Sequence, residues 1–148
     1  MSNDQTNEDT PLIAVIPNPR QPTAMPDPET FWKVGAIYGA TAVMLGAFGA
    51  HGLKKHISDP AKIANWSTAA HYQLVHAVAL LVARDHPVAA GCFTAGMTLF
   101  SGSIYALTLN AEKFRFLGPV TPLGGLFLMA GWAALAFGKA PGAPRRGF

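Results

Sequence analysis

The chain has 148 residues, half of them hydrophobic and only 13% charged, with a formal net charge of +3. Soluble domains carry about 25% charged residues, so this composition argues against a water-covered surface and fits a chain that faces a bilayer. The single cysteine, Cys92, rules out an internal disulfide and a cysteine-based zinc site, and no basic cluster interleaved with aromatics points to nucleic acid.

Residues 1–30 are a different material. They hold Asp4, Glu8, Asp9, Asp27 and Glu29 and six of the twelve prolines. Such a segment buries too little apolar surface to offset its ordering entropy, so a disordered, Pro-rich acidic tail is expected. The acidic start, MSNDQTNEDT, argues against a secretory leader or an Arg-rich presequence. The short LIAVI run could act as a docking strand.

Four apolar runs follow, at about 32–53, 64–84, 87–110 and 119–138. The first is uncharged from Val34 to Ala50, has Phe31 and Trp32 at its entry, and ends at Lys54, Lys55 and His56. Asp59-Pro60 reads as an N-cap followed by proline at the first helical position, and opens the second run. Pro87 restarts a third run, to Asn110. The link AEKFRFL is amphipathic and suits the interface, and the fourth run ends at Gly138 and Lys139. Each run approaches the roughly 20 residues that cross about 30 Å of hydrocarbon, and none shows the period-2 pattern of a barrel strand. The expected fold is all-α: an integral membrane, up-and-down bundle of four transmembrane helices over residues 31–139, with a short basic tail at 140–148. Because the second run carries His71, Gln73 and His76, two full spans with re-entrant pieces is the structural rival.

With four spans both termini share a side. Arg20, Lys33, Arg84, Lys139, Arg145 and Arg146 lie there; Lys54, Lys55, Lys62, Lys113 and Arg115 lie opposite. The excess of one gives a slight lean towards cytoplasmic termini in a bacterial inner (cell) membrane.

Placed at roughly 100° per residue, Gly35, Gly39, Ala42, Gly46 and Gly49 form one small-residue stripe, a candidate helix-packing seam. Thr94, Thr98, Ser101, Tyr105 and Thr108 form a hydroxyl stripe on the third run. Its threonines are expected to bond back to the carbonyl one turn earlier, whereas Tyr105 must reach another helix or the interface. On the second run Tyr72, Gln73 and His76 share an arc and His71 points away, which argues against a two-histidine metal site on that helix. His76 should bond a neighbouring hydroxyl, with Tyr105 or Ser101 the natural partner. Tyr72, Gln73, His76, Ser101 and Tyr105 are therefore the candidate intramembrane polar cluster. His51, between two glycines near the boundary, suits the helix end, where it could bond the last carbonyls or meet a neighbouring helix. Thr121 reads as a cap for a helix starting at Pro122, followed by Gly124 and Gly125, which serve either tight packing or an anion at the helix start. No catalytic triad, phosphate loop or intramembrane carboxylate pair appears.

Four separated motifs carry a resemblance: GAFGAHGL at 46–53, ANWSTAAHYQLVHAVALL at 64–81, FTAGMTLFSGSIYAL at 93–107 and LGPVTPLGGLFLMAGW at 117–132. Together, over about residues 31–139, they resemble domain-of-unknown-function family 423, small bacterial membrane proteins with which the eukaryotic transmembrane protein 256 belongs. The resemblance implies a small multi-pass membrane protein and no reaction. It marks His51, Tyr72, Gln73, His76, Ser101, Ser103, Tyr105, Thr121 and Pro122 as family positions without an assigned role.

The expected function is that of a structural or interaction component without catalysis, cofactor or metal, surrounded by lipid, with a second copy or another membrane protein as partner. One alternative is a small-solute or proton pathway lined by the polar faces of the second and third helices. Another is a haem or metal bundle using His51 with His71 or His76.

Overall fold

The computed structural model describes residues 26–138. The tails expected at 1–30 and 140–148 lie outside that range, apart from residues 26–30. Four α-helices fill it: α1 (Pro28–His51), α2 (Pro60–Ala83), α3 (Pro87–Leu109) and α4 (Val120–Phe137). Short 3-10 turns at Leu53–Lys55 and Arg115–Leu117 lie in the links after α1 and α3. Among the described residues there is no strand.

Local chemistry sets the helix starts. Proline occupies the first position of α1, α2 and α3, where its missing N–H costs nothing. In each case the preceding side chain caps the helix. Asp27 accepts from the Thr30 N–H at 2.7 Å, Asp59 from that of Ala61 at 2.9 Å, and His86 Nδ1 from that of Ala89 at 3.2 Å. Helix α1 thus begins four residues before the apolar run does, because Asp27-Pro28 repeats the signal of Asp59-Pro60. Helix α4 starts at Val120, not Pro122. Pro122 falls within the first turn, where it is tolerated, and Thr121 is helical rather than a cap.

Successive helices pack antiparallel. Along α1 and α2, Gly49 meets Trp66, Gly46 meets Ala70, Gly39 meets Ala77 and Gly35 meets Leu81. Along α3 and α4, Phe93 meets Gly131, Gly96 meets Leu128 and Phe100 meets Gly124. The steps of three, four or seven on both partners are those of helices crossing at a shallow angle. Helices α2 and α3 form the interior pair: the core runs through Ala77, Leu80, Ala83, Ala89, Ala90, Phe93 and Met97, closed by Phe31 of α1 and Leu128 of α4. Helix α1 packs chiefly on α2, and α4 chiefly on α3.

Three of the four helical segments are long and apolar enough to cross a membrane: Pro28–Lys55, Pro87–Leu109 and Arg115–Phe137. Helix α2 matches α1 in length, at 24 residues, or about 36 Å. It is less apolar because it carries the polar side chains that tie the other helices together.

Candidate functional site

Gln73 is buried at the middle of α2, 4% exposed. Its amide N–H groups donate to the Tyr38 carbonyl at 2.9 Å and the Thr41 hydroxyl at 2.8 Å, both on α1. Its amide oxygen accepts from the Tyr105 hydroxyl of α3 at 3.1 Å. One side chain therefore fastens three helices, and both donors and the acceptor are engaged.

His76, one turn on, is also buried. Its Nδ1–H donates to the Tyr72 carbonyl, one helical turn back, at 2.7 Å. Its Nε2 then accepts from the Trp132 indole N–H of α4 at 3.1 Å. This pair of bonds selects one neutral tautomer. The expected bond to Tyr105 or Ser101 is not made. In the antiparallel register Phe93 packs beside His76, its ring centroid 5.8 Å away. Ser101 lies further along α3 and donates to the Ala69 carbonyl at 2.9 Å; Tyr105 lies further still, its ring 4.6 Å from Trp66. Tyr72 is half exposed and stacks on His76 at 5.7 Å.

Sequence reasoning missed the partners of these residues. Trp66 donates to the Leu45 carbonyl at 2.8 Å, a second bond from α2 to α1. Tyr38 and Thr98 join their hydroxyls between α1 and α3, and Ser103 and Thr121 join theirs at 2.7 Å between α3 and α4. Both indoles were available signals, since an indole N–H within a span must find an acceptor. Thr94 and Thr98 bond back to the carbonyls of Ala90 and Thr94, each at 2.8 Å.

The α1 stripe of Gly35, Gly39, Ala42, Gly46 and Gly49 lies against α2. A Cβ added at Gly49 would fall 2.5 Å from the Trp66 ring, and one at Gly35 2.8 Å from Leu81. At Gly39 and Gly46 it would meet an alanine Cβ at an ordinary 3.9 Å. The tightest approach to the backbone of another helix is at Gly124: an added Cβ would press into the Phe100 backbone nitrogen and lie 2.8 Å from Leu99 C and Phe100 Cα. Gly124 thus serves close packing of α4 on α3.

Helices α2 and α4 part on one flank, leaving a groove. One stretch, about 400 Å³, is lined by His71, Tyr72, His76 and Trp132 among others. The next, about 420 Å³, is lined by aliphatic residues and Trp132. His71 and His76 border the same groove from different faces of α2. His51 is exposed at the end of α1, where Gly52 N–H takes the Phe48 carbonyl at 2.7 Å. Because Gly49 pairs with Trp66, His76 lies about 15 Å further along the bundle, so His51 and His76 do not converge on one ion. Among the described residues no three metal-ligating side chains cluster, and every fully buried side-chain N or O atom has a hydrogen-bond partner.

Residues 45–125 match a family described as "Protein of unknown function (DUF423)". A UPF0382 membrane protein of Schizosaccharomyces pombe is 41% identical over 115 residues, covering 72% of this chain and 98% of that protein. One from Staphylococcus aureus is 38% identical over 113 residues (71% and 90%), and one from Bacillus subtilis 39% identical over 114 residues (70% and 90%). No solved structure matches.

Proposed function

Because the chain belongs to the DUF423 family and is a small multi-pass membrane protein, we propose that it works in the bilayer as a non-catalytic structural or interaction component. Its partner is a second copy or another membrane protein. The observation that supports this reading is the bonding of Gln73: both donors and the acceptor go to neighbouring helices. His76 takes one bond from α4 and gives one within α2, and Ser101 donates to α2. Polar groups that move protons or solutes must exchange partners, whereas these are held by bonds that keep helices together. The residues Gln73, His76, Ser101 and Tyr105 accordingly act as fasteners, and the α1 glycines as a packing seam; Tyr72 packs its ring between His76 and Phe100.

The protein belongs in the cell membrane with both termini cytoplasmic. The excess of one Lys or Arg on the terminal side supports that orientation.

Extraction in mild detergent, followed by native mass measurement and identification of co-purifying chains, tests the reading. A multiple of the chain mass, or a stoichiometric second protein, is expected. A monomer without a partner that conducts protons or solute in liposomes, with the flux lost in His76→Ala, would overturn it.

A further inference from the structure

A second cavity, about 520 Å³, opens where the start of α2, the end of α3 and the start of α4 meet, beside the two long links. Its chemistry is divided. Phe100, Ile104 and Leu107 form an apolar wall, while Lys62, Asn65, Thr68 and Thr108 supply polar groups. Unlike the polar residues that fasten the helices, these are uncommitted. Among the described residues the side chains of Asn65, Thr68 and Thr108 make no hydrogen bond, although Thr41, Thr94, Thr98, Ser101, Ser103 and Thr121 all do. Thr108 is only 4% exposed. Since no fully buried polar side-chain atom lacks a partner, its hydroxyl keeps access to the cavity.

Lys62 is half-buried at the polar end, with no ion pair among the described residues. Asp59, one turn earlier, is turned to the backbone N–H groups of Ala61 and Lys62 instead. The surrounding links are basic: Lys54, Lys55, Lys62, Lys113 and Arg115 against Asp59 and Glu112. A cation and open hydroxyls at the membrane boundary, above an apolar wall that continues into the bilayer, match an amphiphile with an anionic head. We propose that this cleft binds the phosphodiester headgroup of an anionic phospholipid. Lys62 takes the phosphate oxygen, Thr108 and Asn65 complete the polar shell, and an acyl chain lies along Ile104 and Leu107.

The full-length chain in mild detergent, titrated separately with phosphatidylglycerol, phosphatidylcholine and inorganic phosphate and read by native mass spectrometry, tests this. Phosphatidylglycerol is expected to be held at least about tenfold more tightly than phosphatidylcholine, because the choline of the latter neutralises its phosphate charge and sets a second cation against Lys62 and the basic links. Lys62→Gln should remove that preference, Lys62→Arg should keep it, and Lys33→Gln, at the opposite end of the bundle, should leave it intact. Thr108→Val, nearly isosteric, should weaken binding about threefold. Circular dichroism confirms that each variant is folded. Equal binding by wild type and folded Lys62→Gln, or by the two lipids, would overturn the proposal. Inorganic phosphate that displaces phosphatidylglycerol at equal concentration would assign the cleft to free phosphate and overturn it as a lipid site.

Discussion

The indole N–H of Trp132 meets Nε2 of His76 at 3.1 Å, and it links α4 to α2 across the mouth of an otherwise open groove. The two rings stand nearly edge to face, 6.0 Å between centroids. Interhelical hydrogen bonds in membranes average about 0.6 kcal/mol and reach about 1.7. A double-mutant cycle with Trp132→Phe and His76→Leu, read by reversible unfolding in mixed micelles, should give a coupling energy in that range. A coupling indistinguishable from zero would mean that the bond does not hold α4 to α2.

Gln73 should be costlier to change. Gln73→Met keeps the volume but removes two donated bonds and one accepted bond, an expected loss of about 2 kcal/mol in the same unfolding measurement. Gln73→Glu should lose more than Gln73→Met at neutral pH. It sets a carboxylate oxygen against the Tyr38 carbonyl where a donor stood, and buries a charge. Wild-type stability in Gln73→Met would show that these contacts contribute nothing.

The glycines divide into two groups. Gly124→Ala pushes a methyl against the α3 backbone and Gly49→Ala against the Trp66 ring, so each should lose about 1–3 kcal/mol, with Gly124 the more severe. Gly39→Ala and Gly46→Ala find ordinary contact distances and should be neutral, or gain up to about 1 kcal/mol from helix propensity. Leucine at those same two positions should separate α1 from α2. Thermal unfolding of the six variants side by side checks the order.

At the start of α1, the hydrogen bonds from Thr30 to the Asp27 carboxylate hold its pKa below the usual 3.8. A depressed pKa means that capping is complete above 3.8 and is lost as pH falls through the lower folded value. Because the group is fully exposed, the effect is local. Protection of the Thr30 amide, measured as its exchange rate against that of an unstructured amide at the same pH, should hold down to about pH 4, and relative exchange should rise only below it. Asp27→Asn, which caps without titrating, should flatten that rise.

The helices were legible because two physical signals agree: long uncharged runs and Pro at helix starts. Asp27-Pro28 carried the same signal as Asp59-Pro60, but lay inside a proline-rich segment where one more proline stood out little. The stripe from Gly35 to Gly49 followed from angular spacing alone. Its partner could not be read that way, since a helical wheel orders residues around one axis and says nothing of which helix they meet. For the same reason the sequence points His76 to the hydroxyls of α3, and a wheel of α2 holds no sign of Trp132 on α4. Gly124 and Gly131, seven apart, and Gly96 and Ser103, also seven apart, did carry the α3–α4 register. Reading the two pairs together would have brought α4 into place.

The bonding of α2 also orders events in time. A chain made from its amino end delivers α1 to the bilayer first. When α2 follows, the acceptors for Trp66 and two of the three partners of Gln73 are already there, at Leu45, Tyr38 and Thr41. The least apolar helix therefore enters against a template that receives its polar groups, and the α1–α2 hairpin is the natural unit of insertion. Tyr105 closes the last position only when α3 arrives.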